Sequence, residues 1–184
     1  MRLVAREELV DYVTYQQERP AYRERVMALK ARRRVHLGAH LTFLFENHDT
    51  IRYQIQEMLL AERIVKETDI RHELETYNDL LGGPGVLGAT LLIEIESAEE
   101  RAVKLTRWLD LPSTIYARFE DQSIARPAFD ERQIDAGKLS SVHYVKFACA
   151  GRVPTALVCD HPDLNSSVLL TSEQRDALRE DLAS

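Results

Sequence analysis

The stretch HLGAHLTFLFEN, residues 36–47, decides the fold class of this chain. Its alternate positions form a continuous apolar set, namely Leu37, Ala39, Leu41, Phe43 and Phe45. A period of two is typical of a strand with one buried face. A helix with Leu37, Leu41, Leu44 and Phe45 on one side is the alternative. Gly38 and the β-forming residues Thr42 and Phe43 favour the strand. We therefore predict a strand over 36–46 in which Leu41, Phe43 and Phe45 are buried.

The segments on either side of this strand supply further helices and strands. Two helices are predicted at the amino terminus, over 5–18 and 20–33, with Pro20 in the first turn of the second. Further helices are predicted over 50–65, 70–81, 98–110 and 172–182, and strands over 87–95, 113–120, 140–149, 155–160 and 166–170. We expect 140–149 and 155–160 to form a hairpin, and 121–139 to be the least structured region. The pattern predicts one α+β domain over 1–184, with a helical amino terminus and a mostly antiparallel sheet covered by helices.

The composition restricts the partners that the protein can have. Its 184 residues carry 24 basic and 30 acidic side chains, a formal net charge of −6. That balance argues against general attraction to nucleic acid or to an anionic membrane. The first residues, MRLVAREELVDY, lack the apolar run of a signal peptide, and no stretch approaches the roughly 18 apolar residues of a membrane-spanning helix. We expect a cytoplasmic protein that binds neither nucleic acid nor membrane, with Cys149 and Cys159 reduced.

Histidines and carboxylates offer a metal site as an alternative. His36 and His40 have the H-x-x-x-H spacing that places two imidazoles on one face of a helix. On the predicted strand they lie about 13 Å apart, at roughly 3.3 Å per residue, which is too far to share one ion. Asp69 and His72 resemble half of a di-iron carboxylate site. Together with Glu57 these residues are the alternative ligands, with iron as the metal. Our main prediction is that no metal or cofactor is bound.

Two polar clusters are the candidate partner-binding residues. The basic run Lys30, Arg32, Arg33 and Arg34 can hold an anion or an acidic partner, or can simply favour the helix dipole. The polar residues where the strand meets the next helix can be helix caps or a recognition surface. They are Glu46, Asn47, Gln54 and Glu57. We predict that the two clusters form one docking patch. The sequence has no G-x-S-x-G, P-loop or Rossmann motif, so whether the protein is an enzyme stays open.

Several segments also carry a resemblance to a known family. They are FENHDT (45–50), YQIQEM (53–58), ATLLIEI (89–95), HYVKFA (143–148) and DHPDLNSSVLL (160–170). With them the chain resembles, over its full length, the bacterial family catalogued as domain of unknown function 3501. Ala39 departs from the proline expected in relatives. The resemblance implies no established reaction, but it implies genes encoded beside a rubrerythrin, a di-iron peroxide-handling protein, and an iron–sulfur oxidoreductase.

Three hypotheses for the function follow. The first is a non-catalytic accessory or docking protein in an oxidative-stress system, with a rubrerythrin-like or iron–sulfur oxidoreductase partner. The second is a small metal-binding protein or metal-dependent enzyme that uses the His and carboxylate ligands named above. The third, a nucleic-acid module, is disfavoured by the net charge and by the absence of a helix-turn-helix signal. The oligomeric state stays open, and a homo-oligomer is one option.

Overall fold

A computed structural model describes residues 1–129, 134–135 and 137–184, in which the chain forms six α-helices and eleven strands. The helices are α1 Tyr12–Ala31, α2 His48–Ala61, α3 Glu67–Asn78, α4 Ala98–Arg107, α5 Leu111–Thr114 and α6 Ser172–Ala183. The first six strands are β1 Arg34–Leu37, β2 Leu41–Phe45, β3 Val86–Ile93, β4 Ile115–Arg118, β5 Ile124–Ala125 and β6 Pro127–Phe129. The others are β7 Ile134–Asp135, β8 Lys138–Leu139, β9 Val142–Ala148, β10 Ala156–Cys159 and β11 Ser166–Leu169. The predicted α+β class with antiparallel pairing is confirmed.

Two sheets face each other and enclose the main core. The first has the strand order β1-β2-β3-β9-β6 and the second the order β11-β10-β4-β5, while β7 and β8 form a separate ribbon. All pairings in the described residues are antiparallel. One residue separates β5 from β6, so the chain passes directly from one sheet to the other. At the opposite edges β1 contacts β10 and β11. The two sheets are therefore joined along both sides into a barrel-like enclosure.

Helices close the two ends of this enclosure. Leu105 of α4, Trp108 directly after α4 and Leu111 of α5 are buried in the core at the end where β3 finishes. Leu178 of α6 is buried at the other end, where β3 contacts this helix. Between them the sheets contribute alternate inward side chains, including Phe43, Phe45, Leu87, Leu91, Val145, Phe147 and Leu157. The predicted burial of Leu41, Phe43 and Phe45 is confirmed.

The predicted single strand over 36–46 is wrong in one respect, because it is a hairpin. Strands β1 and β2 pair around a turn of three residues, and Leu37 lies opposite Leu41. Gly38 has φ +66°, a conformation that favours glycine. Since the turn has an odd number of residues, the apolar alternation passes through it unbroken. The outer face of β2 is also buried, including Thr42 and Leu44.

The two predicted amino-terminal helices are a single helix, α1, which runs through Pro20. The prediction of a break there is wrong because Pro20 and the residue one turn earlier, Gln16, are both exposed. Water can satisfy the carbonyl that loses its partner at such a position. The helix begins at Tyr12, where the Asp11 side chain accepts hydrogen bonds from the amides of Val13 and Thr14. No helix in the described part of the chain is long and apolar enough to cross a membrane.

Two predictions for the second half of the chain also need correction. Strands β9 and β10 belong to different sheets, so the expected hairpin between 140–149 and 155–160 does not form. Ala150 and Gly151, with φ of 50° and 76°, turn the chain from one sheet to the other. The segment 121–139, predicted to be the least structured region, contains the four short strands β5 to β8, of which β5 and β6 are edge strands of the two sheets. Within it, residues 130–133 and 136 lie outside the described part.

Candidate functional site

The strand-to-helix corner is formed by Glu46, Asn47 and Thr50, where β2 leads into α2. The Asn47 side chain accepts a hydrogen bond from the Thr50 amide, and the Thr50 hydroxyl lies 2.9 Å from the Asn47 amide in return. The Glu46 carboxylate is buried and has hydroxyl groups at both oxygens, Thr50 at 2.6 Å and Thr90 of β3 at 2.7 Å. These polar side chains cap the helix and join it to the sheet, which is a structural use.

A buried ion pair ties α6 to this corner. Arg33 makes a bidentate contact with Asp181, both N–O distances being 2.8 Å, and the two side chains are only 2% and 5% exposed. The Asn47 amide also donates to Asp181, at 3.3 Å. Arg33 is therefore inaccessible, and its predicted place in an exposed docking patch is wrong. The carboxylate that binds it lies 148 residues away along the chain.

The other residues of the predicted patch lie in separate surroundings. Arg32 lies 3.6 Å from both Glu173 and Glu180 of α6. Gln54 is half-buried on α2, and Arg34 is exposed at the start of β1. Glu46 is buried, as described above. Of the predicted patch, Arg34 is the exposed cation that makes no ion pair with another described residue.

Glu57 faces α1 rather than the corner. Its carboxylate receives two hydrogen bonds from the Arg19 guanidinium, at 2.7 and 2.8 Å, and one from the Tyr15 hydroxyl at 2.7 Å. The hydrogen bonds from Arg19 lower the pKa of Glu57 and keep it ionised. Burial, and then the hydrogen bond to Glu57, raise the pKa of Tyr15, so the Tyr15 hydroxyl stays protonated. The group joins α1 to α2 and leaves no free carboxylate for a metal.

A basic flank consists of Arg23 and Lys30, on the same side of α1, and Arg34, at the start of β1. The Lys30 ammonium lies 5.1 Å from the ring centroid of Tyr53, and Arg23 interacts with the Tyr53 hydroxyl. Burial lowers the pKa of Lys30; the Glu46 carboxylate opposes this shift, and Arg34 adds to it. Arg23 and Arg34 are exposed. The flank therefore places Lys30 and Arg23 beside the buried ring of Tyr53, a contact that the sequence did not indicate because Tyr53 lies on a different helix.

The alternative metal ligands are not assembled into one site. His36 Nδ1 lies 2.8 Å from the Thr42 hydroxyl, and His40 Nδ1 lies 3.0 Å from the Glu94 carbonyl oxygen. Asp69 and His72 lie on α3, beside a cavity between α2 and α3 that Glu57 does not line. No group of three His, Cys, Asp or Glu in the described ranges is arranged to hold a metal ion. The second hypothesis therefore gains no support from the geometry.

His143 is a buried polar residue that the sequence prediction did not single out. It lies on β9, faces the core with Val145 and Phe147, and is 0% exposed. Neither ring nitrogen has a hydrogen-bond partner in the described residues, although the Ser140 backbone is nearby. Burial lowers the pKa of His143, so the neutral form is favoured. The alternation in VHYVKFA (142–148) could have indicated its inward direction.

The comparison with known proteins agrees with the family resemblance of the sequence. The profile of a family described as "Protein of unknown function (DUF3501)" matches residues 3–182. The chain belongs to this family. Among solved structures it is similar to that of a novel protein of unknown function from Burkholderia pseudomallei K96243. The two are 32% identical, the match covers 98% of this chain and 100% of the other, and the TM-score is 0.90.

No curated protein matches this member of the DUF3501 family. Its family and its structural neighbour are both described as being of unknown function. The candidate functional sites of this DUF3501 protein are therefore the places where its own polar side chains concentrate. These are the corner, the Glu57 group and the basic flank.

Proposed function

We propose that this protein is a non-catalytic accessory protein of the cytoplasm that docks an acidic redox partner through the basic flank. The single observation that carries the proposal is the position of Arg23 and Arg34. Both are exposed, and neither makes an ion pair within the described part of the chain. Exposed cations that have no carboxylate partner within the chain are suited to an acidic protein surface.

The charge distribution supports an acidic partner. Residues 19–34 contain seven basic side chains and one acidic side chain, whereas the whole chain has a formal net charge of −6. The basic flank is thus a local positive region on an acidic protein. Opposite charges accelerate encounter between proteins and make their association sensitive to salt. Arg19, Arg32 and Arg33 already lie near carboxylates within the chain, so the flank and Arg25, which points to another face of α1, are the cations of this segment left for a partner.

The polar groups of the fold support an accessory role rather than catalysis. Glu46, Asn47 and Glu57 all have partners within the chain. The family resemblance implies a rubrerythrin and an iron–sulfur oxidoreductase as neighbours, and these are the partners that we propose. Contacts between redox proteins are small and transient, commonly below about 1,200 Å² of buried surface, so weak binding is expected.

The experiment reverses the charge of Arg23 and Arg34 together, as Arg23→Glu/Arg34→Glu. Binding to purified rubrerythrin and to the iron–sulfur oxidoreductase of the source organism is measured by calorimetry at low and high salt. We expect the wild type to bind one of them and the variant to bind at least about tenfold more weakly at low salt. The difference should shrink at high salt, because the Debye length falls from about 10 Å at 0.1 M to about 3 Å at 1 M.

A matched control variant is Arg25→Glu/Lys66→Glu. It changes the net charge by the same amount, and both residues are exposed. Arg25 lies two positions after Arg23, which is about 200° around the helix axis, so it points away from the flank. We expect this control to bind much as the wild type does. The proposal fails if the wild type binds neither partner at low salt, or if the two variants are weakened equally.

A further inference from the structure

A cavity lined by three arginines lies where α6 meets two turns of the sheets. Its volume is about 390 Å³. Arg152 comes from the turn between β9 and β10, and Arg175 and Arg179 come from α6. Phe119 and Val153 add apolar surface to the lining, and Glu120 and Asp121 add two carboxylates, of which Asp121 is paired with Arg152. Pockets that hold small molecules have about 300–1,000 Å³, so this one can hold a small ligand. We call it the arginine cavity.

The three arginines differ in their partners. Arg152 is fixed in place, because its guanidinium lies 4.2 Å from the Phe119 ring centroid and 3.0 Å from Asp121. Arg179 forms an ion pair with Asp176 on the same helix. Arg175 has no carboxylate or carbonyl partner for its guanidinium in the described residues, and its Nε atom is buried.

An unpaired buried N–H of a guanidinium is costly and calls for an acceptor. Arg175 lines the arginine cavity, so an acceptor that enters the cavity comes next to its side chain. The guanidinium fork suits the oxygens of phosphate and carboxylate groups. Arg152, held against Phe119, supplies a second cation whose position is fixed before a ligand arrives.

We infer that the arginine cavity binds the oxyanion of a small organic molecule, with Arg175 as its principal contact. The chemical class is a phosphate monoester or a carboxylate whose apolar part lies against Phe119 and Val153. The cavity is larger than a bare inorganic anion requires. Such an anion would also make no apolar contact with Phe119 and Val153. This inference is independent of the docking proposal, because none of the basic-flank residues lines the cavity.

The test measures binding by calorimetry and by thermal shift, with the full chain. The probes are phenyl phosphate, benzoate and inorganic phosphate, and sodium chloride at matched ionic strength is the reference. We expect phenyl phosphate or benzoate to bind at least about tenfold more tightly than inorganic phosphate, and to raise the melting temperature where chloride does not. Arg175→Met should weaken that binding by about tenfold or more, as expected when a charge-assisted hydrogen bond is lost.

Two further variants keep the test decisive. Arg175→Lys retains the charge and loses the fork, so it should also weaken binding; it decides the matter if Arg175→Met does not fold. Arg71→Gln changes an exposed arginine on α3, outside the cavity, and should bind as the wild type does. The inference is overturned if neither organic anion binds better than chloride at millimolar concentration, or if both Arg175 variants bind like the wild type.

Discussion

Replacing Asp181 with asparagine tests whether the Arg33–Asp181 pair fixes α6 to the corner. The substitution keeps the size of the side chain and removes its charge. It leaves the Arg33 guanidinium, which is 2% exposed, without its close counter-ion, and only the exposed Glu180 carboxylate remains, at 4.0 Å. Removing one partner of a buried ion pair costs about 3–5 kcal/mol, because the other charge stays buried and uncompensated. With both N–O distances at 2.8 Å and both side chains buried, we expect Asp181→Asn to fall within this range.

Urea unfolding followed by circular dichroism measures the change in the free energy of unfolding. The double variant Arg33→Met/Asp181→Leu removes both charges, and we expect it to lie within about 1 kcal/mol of the wild type or to be more stable. Arg32→Met is the surface control, since Arg32 has its carboxylates at 3.6 Å in exposed surroundings, and it should cost less than about 1 kcal/mol. A loss below about 1 kcal/mol for Asp181→Asn, or a double variant as unstable as the single one, would refute this reasoning.

Three other predictions concern the core, pH and metal content. Phe43→Ala empties a fully buried aromatic site beside Phe147 and should cost about 3–5 kcal/mol in urea unfolding; a near-neutral effect would contradict the packing described. Burial lowers the pKa of His143 below the 6.5 of an exposed histidine, so the unfolded state binds more protons below that pH. The free energy of unfolding should therefore fall as the pH drops below 6.5, by at most about 1.4 kcal/mol per pH unit from this residue. His143→Leu should remove that part of the slope, and an unchanged slope would show that the ring finds a partner. Elemental analysis of tag-free protein should find well under one equivalent of iron, zinc or manganese. The prediction is refuted if the wild type holds stoichiometric metal and a change at His36, His40 or His72 removes that metal.

The apolar alternation of 36–46 was enough to predict that Leu41, Phe43 and Phe45 enter the core. It could not reveal the turn, because three residues between Leu37 and Leu41 preserve the parity of the pattern across the hairpin. The glycine at position 38, which has a positive φ in the turn, was the available signal in the sequence. At Pro20 the error was the opposite one, because a break was predicted where the helix continues. The cost of a proline in a helix depends on whether water reaches the carbonyl that has lost its hydrogen-bond partner.

The sequence by itself determined the α+β class, the order of most elements, the inward side chains of β2 and the family. It could not distinguish Arg32, Arg33 and Arg34, which are consecutive and of one residue type. Only the tertiary structure places Asp181 against Arg33, exposes Arg34 and turns Glu57 towards Arg19. The physical reason is that an ion pair depends on the distance between side chains. That distance is set by how the helices pack on the sheets, and local spacing along the chain does not contain it.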